Sequence, residues 1–118
     1  MQKDSLPPGM DPQSMQRHSG EATRLLKALA NERRLQVLCL LAGGEYSVGE
    51  LNERLDLSQP ALSQHLAVLR EEGLVATRRE AQPIHYSLAP GPAAAVIATL
   101  HAAYCERPGS GGTANPSS

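Results

Sequence analysis

At 118 residues the chain has room for one domain with a modest core, and its formal net charge of −1 at pH 7 excludes a diffusely basic nucleic-acid binder. Phe and Trp are absent and Tyr46, Tyr86 and Tyr104 are the only aromatics, so the core must come from Leu, Val and Ala, and dimerising would add much to it. No segment has the apolar length of a signal peptide or a membrane span, which implies a cytoplasmic protein.

Residues 1–18 mix Pro, Gly, Gln and Met without periodicity, and residues 107–118 read RPGSGGTANPSS; both are expected to be disordered tails around a single domain at 19–106. Ser19 to Ala30 carries Ala22, Leu25, Leu26, Leu29 and Ala30 on one helical stripe. Asn31 is a suitable cap for a second helix through Leu41, ended by Gly43-Gly44. Its apolar set (Leu35, Val37, Leu38, Cys39, Leu40, Leu41) is too large for one face, so this helix is expected to be buried on most sides. Ser47-Val48-Gly49-Glu50 then matches a capping box, and Val48, Leu51 and Leu55 form a short stripe before the tight Asp56-Leu57 connection.

Leu57 to Val75 reads LSQPALSQHLAVLREEGLV. Leu62, Leu66 and Leu69 share one stripe, Ser58 caps the start and Pro60 falls in the first turn. Leu57 and Leu62 stand at the positions of a hydrophobic staple, and Gly73 can end the helix in a left-handed conformation. The outward face then presents Gln59, Ser63, Gln64 and His65, short polar groups near a helix start of the kind that read base edges in a major groove. Two such helices form a helix-turn-helix, although the same pattern also builds ordinary helical hairpins. Leu74–Arg79 and Ile84–Leu88 follow as strands around a tip at 80–83, with Ile84, Tyr86 and Leu88 on one face and His85 and Ser87 on the other. The fold class expected is therefore mainly α with a small β-hairpin wing, a winged helix-turn-helix of about five helices. Arg78, Arg79, Gln82 and His85 would sit on the wing within reach of phosphates or the minor groove, or serve as a solvated, charge-guarded hairpin edge. The last helix, from about Pro92 to Cys105, is rich in alanine, which suits close approach of a second copy in a symmetric dimer.

LKALANERRLQVL, SVGEL, SQPALSQHLAVLREEGLV and a wing ending in IHYSL together resemble the ArsR/SmtB family of winged-helix bacterial repressors, over about Leu25 to Cys105. That resemblance implies a homodimer joined through its first and last helices, with the helix from Ser58 in the major groove of a double-stranded, pseudo-palindromic DNA operator. Ser47, Ser58, Gln59, Ser63, Gln64, His65, Arg78, Arg79, Gln82 and His85 are the candidate DNA-binding residues, with Gln59 and Gln64 favoured for adenine.

The two cysteines address the inducer. Cys39 inside LQVLCLL by itself reads as a small core hydrophobe. RLQVLC before the first thiol and Tyr104-Cys105 at the second resemble a dithiol, BigR/SqrR/HlyU-like subgroup of the family. This implies operator release when Cys39 and Cys105 are bridged, as a di- or polysulfide, by persulfide, other reactive sulfur species or oxidant. Cys105 is expected to react first and Cys39 to resolve it. His101 and Arg107 are placed to offset the helix C-terminus, which disfavours a thiolate at Cys105.

A metal-sensing repressor using His101 and Cys105 is the alternative. The Cys-Val-Cys cluster of many relatives is replaced by Ser47-Val48-Gly49, and His101, Cys105 and Glu106 lack the partners of a four-ligand zinc site, so neither metal nor other cofactor is expected. A dimeric interaction module that does not bind DNA is a second alternative. An enzyme is not expected: no nucleophile triad, phosphate loop or carboxylate pair appears, and His18, His65, His85 and His101 are scattered.

Overall fold

The first helix, α1 (Pro12–Leu29), begins well before its apolar stripe. Asp11 accepts from the Gln13 N–H at 3.1 Å and Pro12 occupies the first turn, so a capped start extends the helix through residues expected to be tail. The disordered stretch expected at 1–18 is corrected for residues 12–18, which are helical. The computed structural model describes residues 11–79 and 83–105, so residues 1–10, the wing tip at 80–82 and the tail from 106 lie outside it.

Next come α2 (Glu32–Ala42), β1 (Tyr46–Ser47), α3 (Val48–Arg54), α4 (Gln59–Glu71), β2 (Val75–Arg79), β3 (Ile84–Leu88) and α5 (Pro92–Tyr104). These make five helices and a small antiparallel sheet, a winged helix-turn-helix. Asn31 caps α2 as expected, accepting from the Arg34 N–H at 3.0 Å. Arg34 then turns back, donating from Nε to the Ala28 carbonyl at 2.8 Å and from Nη2 to the Lys27 carbonyl at 3.3 Å, and so satisfies acceptors at the end of α1.

Val37 and Leu38 from α2, Leu51 from α3, Leu62 and Leu69 from α4 and Ile97 from α5 are fully buried and define where the helices meet. Burying each such side chain stabilises the fold by about 1.5–3 kcal/mol. The expectation that α2 is enclosed on most sides needs correction. Val37, Leu38 and Leu41 face the core, whereas Leu35, Cys39 and Leu40 are only half-buried on its flank.

The wing has one strand more than a hairpin. The order is β1-β3-β2, with Tyr46 opposite Tyr86 and Ser47 opposite His85 on one side. On the other side Arg78 lies opposite His85 and Arg79 opposite Ile84. β3 is thus the middle strand, with α2 and α3 against it, and all its residues are half-buried.

Candidate nucleic-acid interface and thiol pair

Local chemistry sets the angle of α4. Ser47 and Glu50 form a complete capping box: the Glu50 N–H donates to Ser47 Oγ at 3.1 Å and the Ser47 N–H to Glu50 Oε1 at 2.9 Å. The bond from the Ser47 N–H does most to pull the Glu50 carboxyl below its usual range, and with the Ser47 hydroxyl and the charges of His85 and Arg54 it outweighs desolvation. Asn52 Nδ2 donates to the Leu57 carbonyl at 2.7 Å and closes the turn between α3 and α4. Ser58 Oγ accepts from the Ala61 N–H at 3.2 Å, and Pro60 lies in the first turn of α4. At the far end Gly73, at φ +76°, permits a Schellman motif, in which the Gly73 and Leu74 N–H groups donate to the Arg70 and Leu69 carbonyls. Arg24 of α1 clasps Glu72 at that end, Nε to Oε1 at 2.7 Å and Nη2 to Oε2 at 3.3 Å.

Burial of Leu62, Leu66 and Leu69 turns the opposite side of α4 to solvent, so Gln59, Ser63 and Gln64 are exposed together, with Ser58 exposed at the helix start. His65 is half-buried, and burial together with the positive charges of Arg34 and Arg33 lowers its pKa, so it stands as a neutral imidazole at pH 7. Those two arginines bring α2 to the edge of the α4 surface, a proximity that no spacing in the chain announces. Ser47 is 7% exposed and its hydroxyl is committed to the cap, so its place is under the surface, in the scaffold. Ser47→Ala is expected to cost about 1 kcal/mol of stability, measured as a lower urea midpoint at unchanged slope. A midpoint equal to wild type would show that the cap contributes nothing.

On the wing, Arg79 is exposed at the end of β2, while Gln82 lies outside the described residues. Arg78 is engaged: its Nη2 is 2.8 Å from Glu45 Oε1, and its Nε lies 3.2 Å from each carboxylate oxygen. The Arg78 hydrogen bonds, and next the charges of Arg78 and His85, outweigh desolvation and hold the Glu45 carboxyl below the ordinary range. His85 is half-buried between its register partners Ser47 and Arg78. Ser63 and Ala67 of α4 line a surface cavity of about 470 Å³ with Tyr86 of β3, so α4 and the middle strand share a surface.

Both thiols are free. Cys39 is half-buried on α2, which packs against α5, and Cys105 is exposed at the end of α5, its N–H donating to the His101 carbonyl at 2.7 Å. Burial raises the Cys39 pKa first, and the Cys105 charge raises it further, so the two sulfurs of one chain lie within electrostatic reach. Cys39 opens onto a cavity of about 470 Å³ shared with Ala94, Ala98 and His101 of α5. Among the described residues no three His, Cys, Asp or Glu side chains are grouped to hold a metal ion. No helix among them is long and apolar enough to cross a membrane.

Comparison with known proteins agrees with this geometry. The family model described as "Bacterial regulatory protein, arsR family" matches residues 31–77. The "Transcriptional activator HlyU" of Vibrio cholerae is 57% identical over 97 residues, covering 82% of this chain and 90% of the relative. The "Biofilm growth-associated repressor" of Agrobacterium fabrum is 52% identical over 92 residues, covering 78% and 79%. The crystal structure of the transcriptional repressor BigR from Xylella fastidiosa shares 41% identity at a TM-score of 0.76, over 83% of this chain and all of that one. Likeness of this degree, in sequence and in fold, means that the chain belongs to the ArsR/SmtB family of bacterial transcriptional regulators, in its HlyU/BigR-like branch.

Proposed function

We propose that the protein is a homodimeric repressor that binds a pseudo-palindromic operator through α4 and releases it when Cys39 and Cys105 of one chain become bridged. The observation that carries the first half is the exposed row Gln59, Ser63 and Gln64, held outward by buried leucines and by fixed helix ends. With few cations to spare, affinity rests on base contacts by these side chains and on Arg78, Arg79, Gln82 and His85 near the backbone. Exposed Met15 (58%), Leu26 (56%) and Tyr104 (76%) on α1 and α5 support pairing of two copies through these helices. A two-fold protein presents two α4 helices to successive major grooves.

The second half rests on the two thiols standing on packed helices, Cys39 on α2 and Cys105 at the end of α5. The Cys105 thiolate attacks the outer sulfur of a persulfide RSSH, expelling the thiol RSH and becoming a persulfide itself. The Cys39 thiolate then attacks the Cys105 sulfur and hydrosulfide leaves with its electron pair. Two thiols and one RSSH thus become one disulfide, RSH and hydrogen sulfide; with a second RSSH the same two thiols become a trisulfide, two RSH and hydrogen sulfide, which keeps one donor sulfur between the cysteines. Because α2 packs against both α4 and α5, a bond between Cys39 and Cys105 acts on the helix that supports the reading head.

The DNA half is tested by selecting duplexes from a randomised library and titrating the best with a Ser63→Ala/Gln64→Ala variant. Each lost base contact is expected to cost about 1–3 kcal/mol of discrimination, with the circular dichroism spectrum unchanged. A module that only joins proteins would select no sequence, and equal binding by variant and wild type would remove α4 from the reading role.

A further inference from the structure

A chain short of positive charge places one of its few wing cations in an ion pair. Glu45 stands just before β1 and Arg78 in β2, thirty-three positions apart in sequence, yet the guanidinium meets the carboxylate through two nitrogens. This is the fork by which arginine also holds a phosphate. Both side chains keep close to half of their surface in water, at 44% and 40%, so a DNA phosphate arriving from solvent can reach the same fork. Exposed pairs of this kind are held weakly, which makes exchange feasible. The neighbourhood repeats the theme: His85 lies opposite Arg78 in the sheet, and its charge acts on both Glu45 and Glu50.

We propose that Glu45 is a built-in competitor for DNA phosphate, its carboxylate occupying the Arg78 fork in the free protein and yielding it when the wing meets the backbone. The inference rests on the DNA-binding reading and adds a control on its strength. Non-specific affinity comes from phosphate neutralisation, so a carboxylate that spends Arg78 beforehand weakens binding to every sequence alike. Base contacts from α4 are untouched. The pair therefore holds down attachment to random DNA while the choice of sequence stays with α4.

The test uses the full chain as wild type, Glu45→Gln, Arg78→Gln and the double variant, titrated by fluorescence anisotropy against the selected operator and a scrambled duplex over a range of salt. Glu45→Gln is expected to tighten both complexes by about two- to fivefold. The slope of log affinity against log salt should be nearly the same for wild type and Glu45→Gln, because Arg78 holds the phosphate in both complexes, and should become shallower by about 0.9 in Arg78→Gln. In the Arg78→Gln background the same substitution should have little effect, because the fork is gone. Equal tightening with and without Arg78 would overturn the inference, showing plain repulsion between Glu45 and DNA; so would wild-type binding that Glu45→Gln leaves unchanged. Wild-type protein that binds no duplex would overturn the DNA-binding reading and, with it, this control.

Discussion

After treatment with a persulfide donor, a Cys39→Ser/Cys105→Ser variant is expected to keep its operator while wild-type protein loses affinity by about 5–150-fold, the range of a coupling free energy of about 1–3 kcal/mol. The substitution is mild in the folded state, since Cys105 is exposed and Cys39 only half-buried. The single variants divide the chemistry. With Cys105→Ser, the remaining Cys39 keeps a thiol whose pKa is raised by burial, leaving little thiolate at neutral pH and slow reaction. With Cys39→Ser, Cys105 can take up sulfur but has no partner to close on. Both singles are therefore expected to stay on DNA, and intact mass should show added sulfur without a bridge in the second. The mass of the treated wild type separates a disulfide from a longer sulfur chain. Release of DNA by the double variant would place the switch elsewhere in the molecule.

Leu38→Ala should be the most damaging core truncation, costing about 2–5 kcal/mol of unfolding free energy. Leu38 is fully buried on α2. The buried cluster it belongs to is made of leucine, valine, isoleucine and alanine in a chain without Phe or Trp. Against a typical domain stability of about 5–15 kcal/mol, such a loss is a large share. Urea unfolding at fixed protein concentration measures it, and a loss below about 1 kcal/mol would mean that the four-helix junction can collapse around the gap.

The parts legible in the sequence are those specified by neighbours in sequence. Ser47 with Glu50, Ser58 with Pro60, and Gly73 act within a few residues, so the ends of α3 and α4 follow from the chain alone. The stripe Leu62, Leu66 and Leu69 likewise fixes which face of α4 meets water, and with it the placement of Gln59, Ser63 and Gln64. What escaped is non-local or too short to have a period. Tyr46–Ser47 is a two-residue strand whose existence depends on β3, nearly forty positions later. The Arg78–Glu45 pair and the approach of Arg33 and Arg34 to His65 depend on how distant elements pack. The early start of α1 escaped for another reason: residues 12–18 carry a lone Met15 and no apolar stripe, and only the cap at Asp11 and Pro12 in the first turn mark them as helical.

Ser47 belongs to two elements at once. Its backbone stands in the sheet opposite His85, and its N–H and hydroxyl close the capping box with Glu50. Tilting the wing away from α3 would break one set of these bonds or the other. Wing and helix-turn-helix therefore turn together as a rigid plate, with Ser47 as the rivet. In the proposed dimer, the grip on an operator then changes through the distance and angle between two such plates, a quantity that α1 and α5 control without deforming either reading surface.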